Sequence, residues 1–307
     1  MGDTILCSRC GRGAFYLQPY SGNSFCRRCY TQALEKRVRG HINQRRLLRP
    51  NDRIAVAVSG GKDSVSLLHI LVQIEKEFPK AELVAVSIDE GIEGYRNEAL
   101  EIAAKNASKL GVEHHVLSFE SIYGHRLEEI AQIALTRGKF SICAYCGILR
   151  RKALNVLAKK VDASVLVTGH NLDDEAQSVL MSIVRGDANL FVRQQSQVDS
   201  FVRRAKPFSS IPEREVVLYA YLKGICFQSI PCPYAGTSLR NDARVFLDIM
   251  EEKHPGMKFN VQATIRRLQL MKGRKGGEIQ VCESCGEPSS TVLCRSCKVL
   301  QELDLSQ

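Results

Sequence analysis

Between residues 53 and 184 the rhythm of apolar positions changes repeatedly. Residues 53–59, Arg-Ile-Ala-Val-Ala-Val-Ser, form a short β-branched run, and residues 63–77 then repeat apolar positions at helical spacing. A second apolar run over 83–89 precedes a helical pattern over 95–110, a third strand is predicted at 113–117, and a fourth at 164–170 leads into a helix over 173–184. Near-continuous apolar strands alternating with amphipathic helices mark a parallel sheet covered on both faces. The expected fold class is therefore α/β, a doubly wound parallel sheet. In such a sheet ligands sit in the crevice at the carboxyl ends of the strands. The loops after Val58, Ile88 and Val167 all leave at that edge. Residues 31–48 read as a basic helix, 212–272 as further helices and 193–200 as polar loop.

Cysteine pairs flank this core. Cys7, Cys10, Cys26 and Cys29 follow C-x2-C-x15-C-x2-C, while Cys282, Cys285, Cys294 and Cys297 have a middle gap of eight residues. Four soft thiolates at such spacing close a tetrahedral zinc site with no open position, so each module is structural. Gly11 and Gly286 each follow a first pair and relax the turn around a metal. Modules this small depend on the metal to fold. The chain divides into a 1–30 zinc module, a 31–48 linker helix, a 49–272 central domain and a 273–307 zinc module.

Ser59-Gly60-Gly61-Lys62-Asp63-Ser64 lies directly between a predicted strand and helix. Two glycines let the backbone turn tightly and approach an anion, and the helix start adds unpaired N–H donors and a positive dipole end. Lys62 offers a charge to a phosphate, Ser59 and Ser64 offer hydroxyls, and the string departs from the Walker pattern. It resembles the signature of the PP-loop ATP pyrophosphatases, which cleave ATP between its α and β phosphates to form an adenylate. That resemblance implies that Ser59, Gly60, Gly61, Lys62, Asp63 and Ser64 hold the pyrophosphate part of ATP, with Lys62 and Asp63 also serving the chemistry. It puts Asp89 near the adenosine.

Cys143-Ala-Tyr-Cys146-Gly precedes Arg150-Arg151-Lys152, and a third cysteine stands in Pro231-Cys232-Pro233-Tyr234. Three thiolates can hold a [4Fe-4S] cluster and leave one iron open; a redox dithiol or a further zinc site are the other readings. Neighbouring cations are expected to favour the thiolates. Cys226, alone in Lys223-Gly-Ile-Cys-Phe, reads as a buried apolar residue.

The loop, C-x-x-C-G-x-x-R-R, G-H-N-x-D-D-E-A and P-C-P-Y occur in that order. Together they resemble the cytosolic tRNA 2-thiouridine synthetases of archaea, eukaryotes and some thermophilic bacteria, over nearly the whole chain. The related 2-thiocytidine synthetases share the loop and central cysteines but lack paired flanking zinc modules. The resemblance implies that Cys143, Cys146 and Cys232 ligate the cluster. It places Gly169, His170 and Asp174 beside ATP, with Asp174 orienting Mg2+ or moving a proton; capping of the helix is its structural alternative. Arg150 and Arg151 would neutralise phosphate charge. The implied reaction adenylates the C2 oxygen of a tRNA uridine and replaces it with sulfur. Free sulfide or a ubiquitin-like thiocarboxylate protein would donate the sulfur, and the enzyme would be a homodimer.

Composition narrows the setting. The chain has 307 residues, a formal net charge of +10 and twelve cysteines. The basic excess, gathered at residues 37–49, 203–206 and 266–275, suits a polyanion such as tRNA. No run of about 18 apolar residues suggests a membrane span, and no signal-like segment opens the sequence, so a cytoplasmic location and reduced, metal-binding cysteines are expected.

Overall fold

The computed structural model describes residues 5–187, 202–235, 239–271 and 280–305. The predicted loop at 193–200 and the boundary at 273 lie outside these residues. The chain starts with a hairpin, β1 (Tyr16–Leu17) and β2 (Ser24–Phe25), then helix α1 (Arg27–Arg45). The α/β region follows as β3 (Arg53–Ala57), α2 (Lys62–Glu75), β4 (Glu82–Asp89), α3 (Arg96–Leu110), β5 (Glu113–Ser118), α4 (Phe119–Tyr123), α5 (Leu127–Arg137), α6 (Ile142–Lys160), β6 (Val165–Val167), α7 (Leu172–Val184), β7 (Arg203–Ala205) and α8 (Glu213–Leu222). Helices α9 (Leu239–Lys253) and α10 (Met257–Met271) complete it, before the hairpin β8 (Gln280–Val281) and β9 (Pro288–Ser289) and helix α11 (Arg295–Glu302).

Five strands make one parallel sheet in the order β5-β4-β3-β6-β7. The chain winds outward from β3 in both directions, so the doubly wound expectation holds and the switch point lies between β3 and β6. Alternation along the strands separates two layers. Ile54, Val56, Val165 and Val167 pack with Leu67, Leu68 and Leu71 of α2 and Tyr219 of α8. Ala55, Val84, Val86 and Leu166 pack with Phe119, Leu149 and Leu157 on the other side.

Helices α4, α5 and α6 lie where the sequence reading named no element, and three further elements differ from expectation. Strand β6 stops at Val167, because Thr168, Gly169 and His170 turn away into a loop. Strand β7 carries two arginines and buries only Ala205, which an edge strand tolerates. Helix α1 begins inside the first cysteine module, putting Cys29 on its first turn, and buries Tyr30, Leu34, Val38 and Ile42 against the sheet layer. It is part of the core, where a linker was expected.

Each cysteine module clamps one face of the sheet. The first is fastened at Glu215 of α8, whose side chain has no solvent exposure. That carboxylate accepts from Gln18 Nε2 at 2.7 Å, from the Tyr20 hydroxyl at 2.6 Å, and from Arg37. On the opposite face, Val299 of α11 and Leu303 just beyond it enter the second layer, and Tyr145 donates to Glu302 at 2.7 Å. Glu287 accepts from Asn155 and Lys159, both at 2.8 Å. Among the described residues, no helix is long and apolar enough to cross a membrane.

Candidate functional site

Two loops meet at the switch point. The first runs from β3 into α2 and is held by its own hydroxyls: Ser59 N–H donates to Ser64 Oγ at 3.0 Å, and Ser64 Oγ donates to the Gly61 carbonyl at 2.9 Å. Gly60 has φ +87°, and a Cβ there would stand 2.4 Å from the Ala99 carbonyl oxygen, so only glycine fits. The second loop runs from β6 into α7. A Cβ on Gly169 would come within 3.0 Å of the Asp63 and Ser64 backbone, so this glycine lets the loops abut. Asn171 then donates to Asp63 Oδ1 at 3.2 Å across the junction.

Charge converges on the same spot. Lys62 Nζ lies 2.8 Å from Asp63 and 2.6 Å from Glu213, the first residue of α8. Burial opposes the lysine's charge, but these two carboxylates raise its pKa above the ordinary value. Burial raises Asp63 and Asp174, against the pull of Lys62. Asp174 and Asn171 cap α7 reciprocally, and Asp174 also lies 3.4 Å from Arg240. The capping alternative for Asp174 is therefore realised, and its capping partner Asn171 is the residue that touches Asp63 of the phosphate loop. Burial, reinforced by Lys206, lowers His170 to about 4, so its ring is neutral near pH 7 while Nδ1 bonds Thr168 at 2.8 Å. Asp89 accepts from Gly91 N–H at 2.9 Å and shapes its own turn.

The three central cysteines come from two elements. Cys143 and Cys146 lie in the first turns of α6, and Cys232 follows α8. The segment carrying Cys232 is strapped to the phosphate loop: Gln228 N–H donates to the Gly60 carbonyl at 2.9 Å, and Gln228 Nε2 donates to the Tyr95 carbonyl at 2.8 Å. Cys143 Sγ donates to the Tyr234 carbonyl at 2.8 Å, which ties that segment back to α6. Arg150 Nη2 donates to Cys146 Sγ at 3.1 Å. Burial pushes the Cys146 thiol up to about 11 against this guanidinium and raises Cys143 as well. The expected cation effect on these thiols is thus outweighed by desolvation. Arg150 is occupied by Cys146 and by Glu90, whose Oε1 lies 2.6 Å from its Nε. Cys226 is exposed, contrary to expectation, because the preceding Ile225 takes the core position.

Each terminal module brings four sulfurs within 4.8 Å of one another. Cys10 and Cys26 stand 3.7 Å apart, as do Cys285 and Cys294. Cys294 N–H donates to Cys282 Sγ at 3.2 Å, as backbone amides do to metal-bound thiolates. Gly11 and Gly286 both have φ +70°, which the turn after each first pair requires. The donor set and spacing fit one tetrahedral ion per module. Among the described residues, Cys143, Cys146 and Cys232 form no such group.

Much of the basic excess is structurally committed. Arg203 holds Asp52 through contacts of 2.6 and 2.7 Å, Lys206 pairs with Glu175 at 2.6 Å, and Arg204 donates to the Arg151 carbonyl at 2.9 Å. Residues 272–275 of the last basic stretch lie outside the described residues. Glu90, Arg96, Glu213 and Gln228 were not legible as site residues. Glu90 directly follows Asp89 at a strand's carboxyl end, which was the one available signal. The other three reach the site only through folding.

Residues 30–245 match the family model described as a PP-loop domain, and residues 6–31 match one described as the N-terminal LIM domain of the 2-thiouridine synthetase TtuA. A probable sulfurtransferase of Methanocaldococcus jannaschii is 36% identical over 98% of this chain and 89% of its own length. The tRNA 2-thiolation protein NcsA of Haloferax volcanii is 34% identical over 97% of this chain and 99% of its own. The solved U34-tRNA thiolase NcsA of Methanococcus maripaludis, with its [4Fe-4S] cluster, is 34% identical, covers 98% of this chain and 97% of its own, and superposes with a TM-score of 0.87.

Proposed function

The chain belongs to the tRNA 2-thiolation family of PP-loop proteins, and we propose that it is an ATP-dependent tRNA uridine 2-sulfurtransferase acting on U34. The observation that carries this reading is the Gln228–Gly60 hydrogen bond, which joins the segment bearing Cys232 to the phosphate loop. Nucleotide activation and sulfur delivery then share one crevice.

ATP places its pyrophosphate end on residues 59–64, where loop amides, the start of α2 and Lys62 meet phosphate charge. An arriving phosphate takes the place that Glu213 occupies beside Lys62. Asp63 and Asp174 are the carboxylates that would hold Mg2+. The uridine enters unstacked, since its C2 oxygen is inaccessible within a helix. That oxygen attacks the α-phosphorus, the bond to the bridging oxygen breaks, and pyrophosphate leaves. Sulfide then adds at C2 and AMP departs with the original uridine oxygen. The protein contributes position and charge neutralisation, as in other phosphoryl transfers.

Cys143, Cys146 and Cys232 are the residues that would hold a [4Fe-4S] cluster, which supplies an open iron corner for sulfur. The four-cysteine sites would each hold one Zn2+ and keep the flanking modules folded. Free sulfide or a protein thiocarboxylate is the sulfur donor.

The test is anaerobic reaction of the iron-loaded protein with unmodified tRNA, ATP, Mg2+ and sulfide, followed by mass spectrometry of the digested tRNA. Exchange of sulfur for oxygen at U34, together with pyrophosphate release, is expected. Nitrogen insertion, or ATP binding with no change in tRNA mass, would overturn the assignment; sulfur at another uridine would overturn the choice of U34.

A further inference from the structure

Glu90 is almost fully buried, at 3% exposure, between two guanidinium groups. Its Oε2 lies 2.9 Å from Arg96 Nε and its Oε1 lies 2.6 Å from Arg150 Nε. The far ends of these arginines have different duties. Arg96 Nη1 donates to the Ser59 carbonyl at 2.7 Å, on the phosphate loop, and its Nε also serves the Ile88 carbonyl at 2.7 Å. Arg150 Nη2 donates to Cys146 Sγ at 3.1 Å. An unbroken chain therefore runs from Ser59 through Arg96, Glu90 and Arg150 to Cys146.

The chain is held rigidly. Arg96 is 4% exposed and opens α3, while the Glu90 carbonyl accepts from Leu127 N–H at 2.7 Å at the start of α5. Gly91 turns with φ +71° where a Cβ would stand 2.8 Å from the Arg126 side chain, so the turn beyond Glu90 takes only glycine. The Glu90–Arg96 ion pair is buried, where an unpaired charge is costly, while the Arg150 side chain that completes the link is 44% exposed.

We propose that Glu90 is a positioning residue that couples nucleotide binding at the phosphate loop to the cysteine site. Resting on the function above, it gives each carboxylate oxygen to one arginine, so that a movement of the loop is felt at Cys146 and the reverse. Coupling of this kind is reciprocal: if loading the cysteines changes ATP affinity, ATP changes the loaded site by the same factor.

The experiment compares the dissociation constant of a non-hydrolysable ATP analogue for cluster-free and iron-sulfur-loaded protein, by calorimetry under argon. In the parent the two constants should differ by about fivefold or more, the lower range for coupled sites. In Glu90→Gln, which keeps the shape but releases the guanidiniums, they should agree within about twofold. Arg96→Lys gives an independent check, because one ammonium cannot serve Ser59, Ile88 and Glu90 together. A purely structural role would weaken both constants equally and leave their ratio intact. A parent ratio within twofold, or variants that keep the parent's ratio, overturns the coupling while leaving the proposed activity standing. Failure of the parent to bind the analogue, or to load iron at Cys143, Cys146 and Cys232, overturns the activity and the coupling with it.

Discussion

The backbone N–H of Gln228 donates to the Gly60 carbonyl at 2.9 Å, and Gly61 pairs with Gln228 in a parallel bridge. The phosphate loop thus gains one extra strand-like partner from the segment leading to Cys232. Two sites far apart in sequence are joined by main-chain bonds that side-chain reading does not reveal.

Gly60→Ala should break this junction. The added methyl meets the Ala99 carbonyl at 2.4 Å, and φ +87° is strained for any side chain. Together these should cost about 2–4 kcal/mol and abolish ATP binding. A variant with the parent's urea midpoint and ATP affinity would show that the loop has another way to close.

Asp174→Asn separates capping from chemistry. An asparagine oxygen can still accept from Asn171 N–H, so α7 keeps its cap. Losing the carboxylate should reduce tRNA-dependent pyrophosphate release by about 100-fold or more if it holds Mg2+ or moves a proton. Unchanged melting with lost release is the expected pair of results. Undiminished release would restrict Asp174 to its cap.

Glu215→Ala should loosen the first cysteine module. The carboxylate is fully buried and serves Tyr16, Gln18, Tyr20 and Arg37, so truncation leaves four donors short of a partner. Arg37 is about one-third exposed and recovers some hydration, so the expected cost is about 2–4 kcal/mol. Limited proteolysis should then cut near residue 20 before the sheet region. Simultaneous loss of all fragments would argue that module and core unfold as one.

Acid should destabilise the protein partly through His41. This histidine is 8% exposed, and burial, then Arg266 and Arg45, lowers its pKa to about 4, well below the ordinary imidazole value. The folded state therefore excludes a proton that the unfolded state accepts. The stabilisation is complete above about pH 6.5 and declines as pH falls toward 4. His41→Gln should lose about 2 kcal/mol less than the parent between pH 7 and pH 4.5, allowing for partial solvent screening. Denaturant titration at the two pH values measures the difference, and parallel losses would remove His41 as the cause.

Where periodicity was strong, the sequence sufficed. The β-branched run at 53–57 and the apolar run at 82–89 became central parallel strands because such runs have no polar face to leave in water. The glycine-rich loop and the cysteine spacings were equally plain, since phosphate turns and tetrahedral sites constrain neighbours only a few residues apart. Strand β7 escaped notice because an edge strand needs little apolar surface.

Long-range partnership was decided only by tertiary structure. Composition could not show that Arg203 and Lys206 spend their charges on Asp52 and Glu175, or that Arg150 faces Glu90 and Cys146. The pull of nearby cations on the Cys146 thiol was visible in sequence; the burial that overrides it was not. Local motifs specify what a residue can do through bonds to near neighbours. What it faces depends on which helices and loops the sheet brings together, and that is fixed only when the core closes.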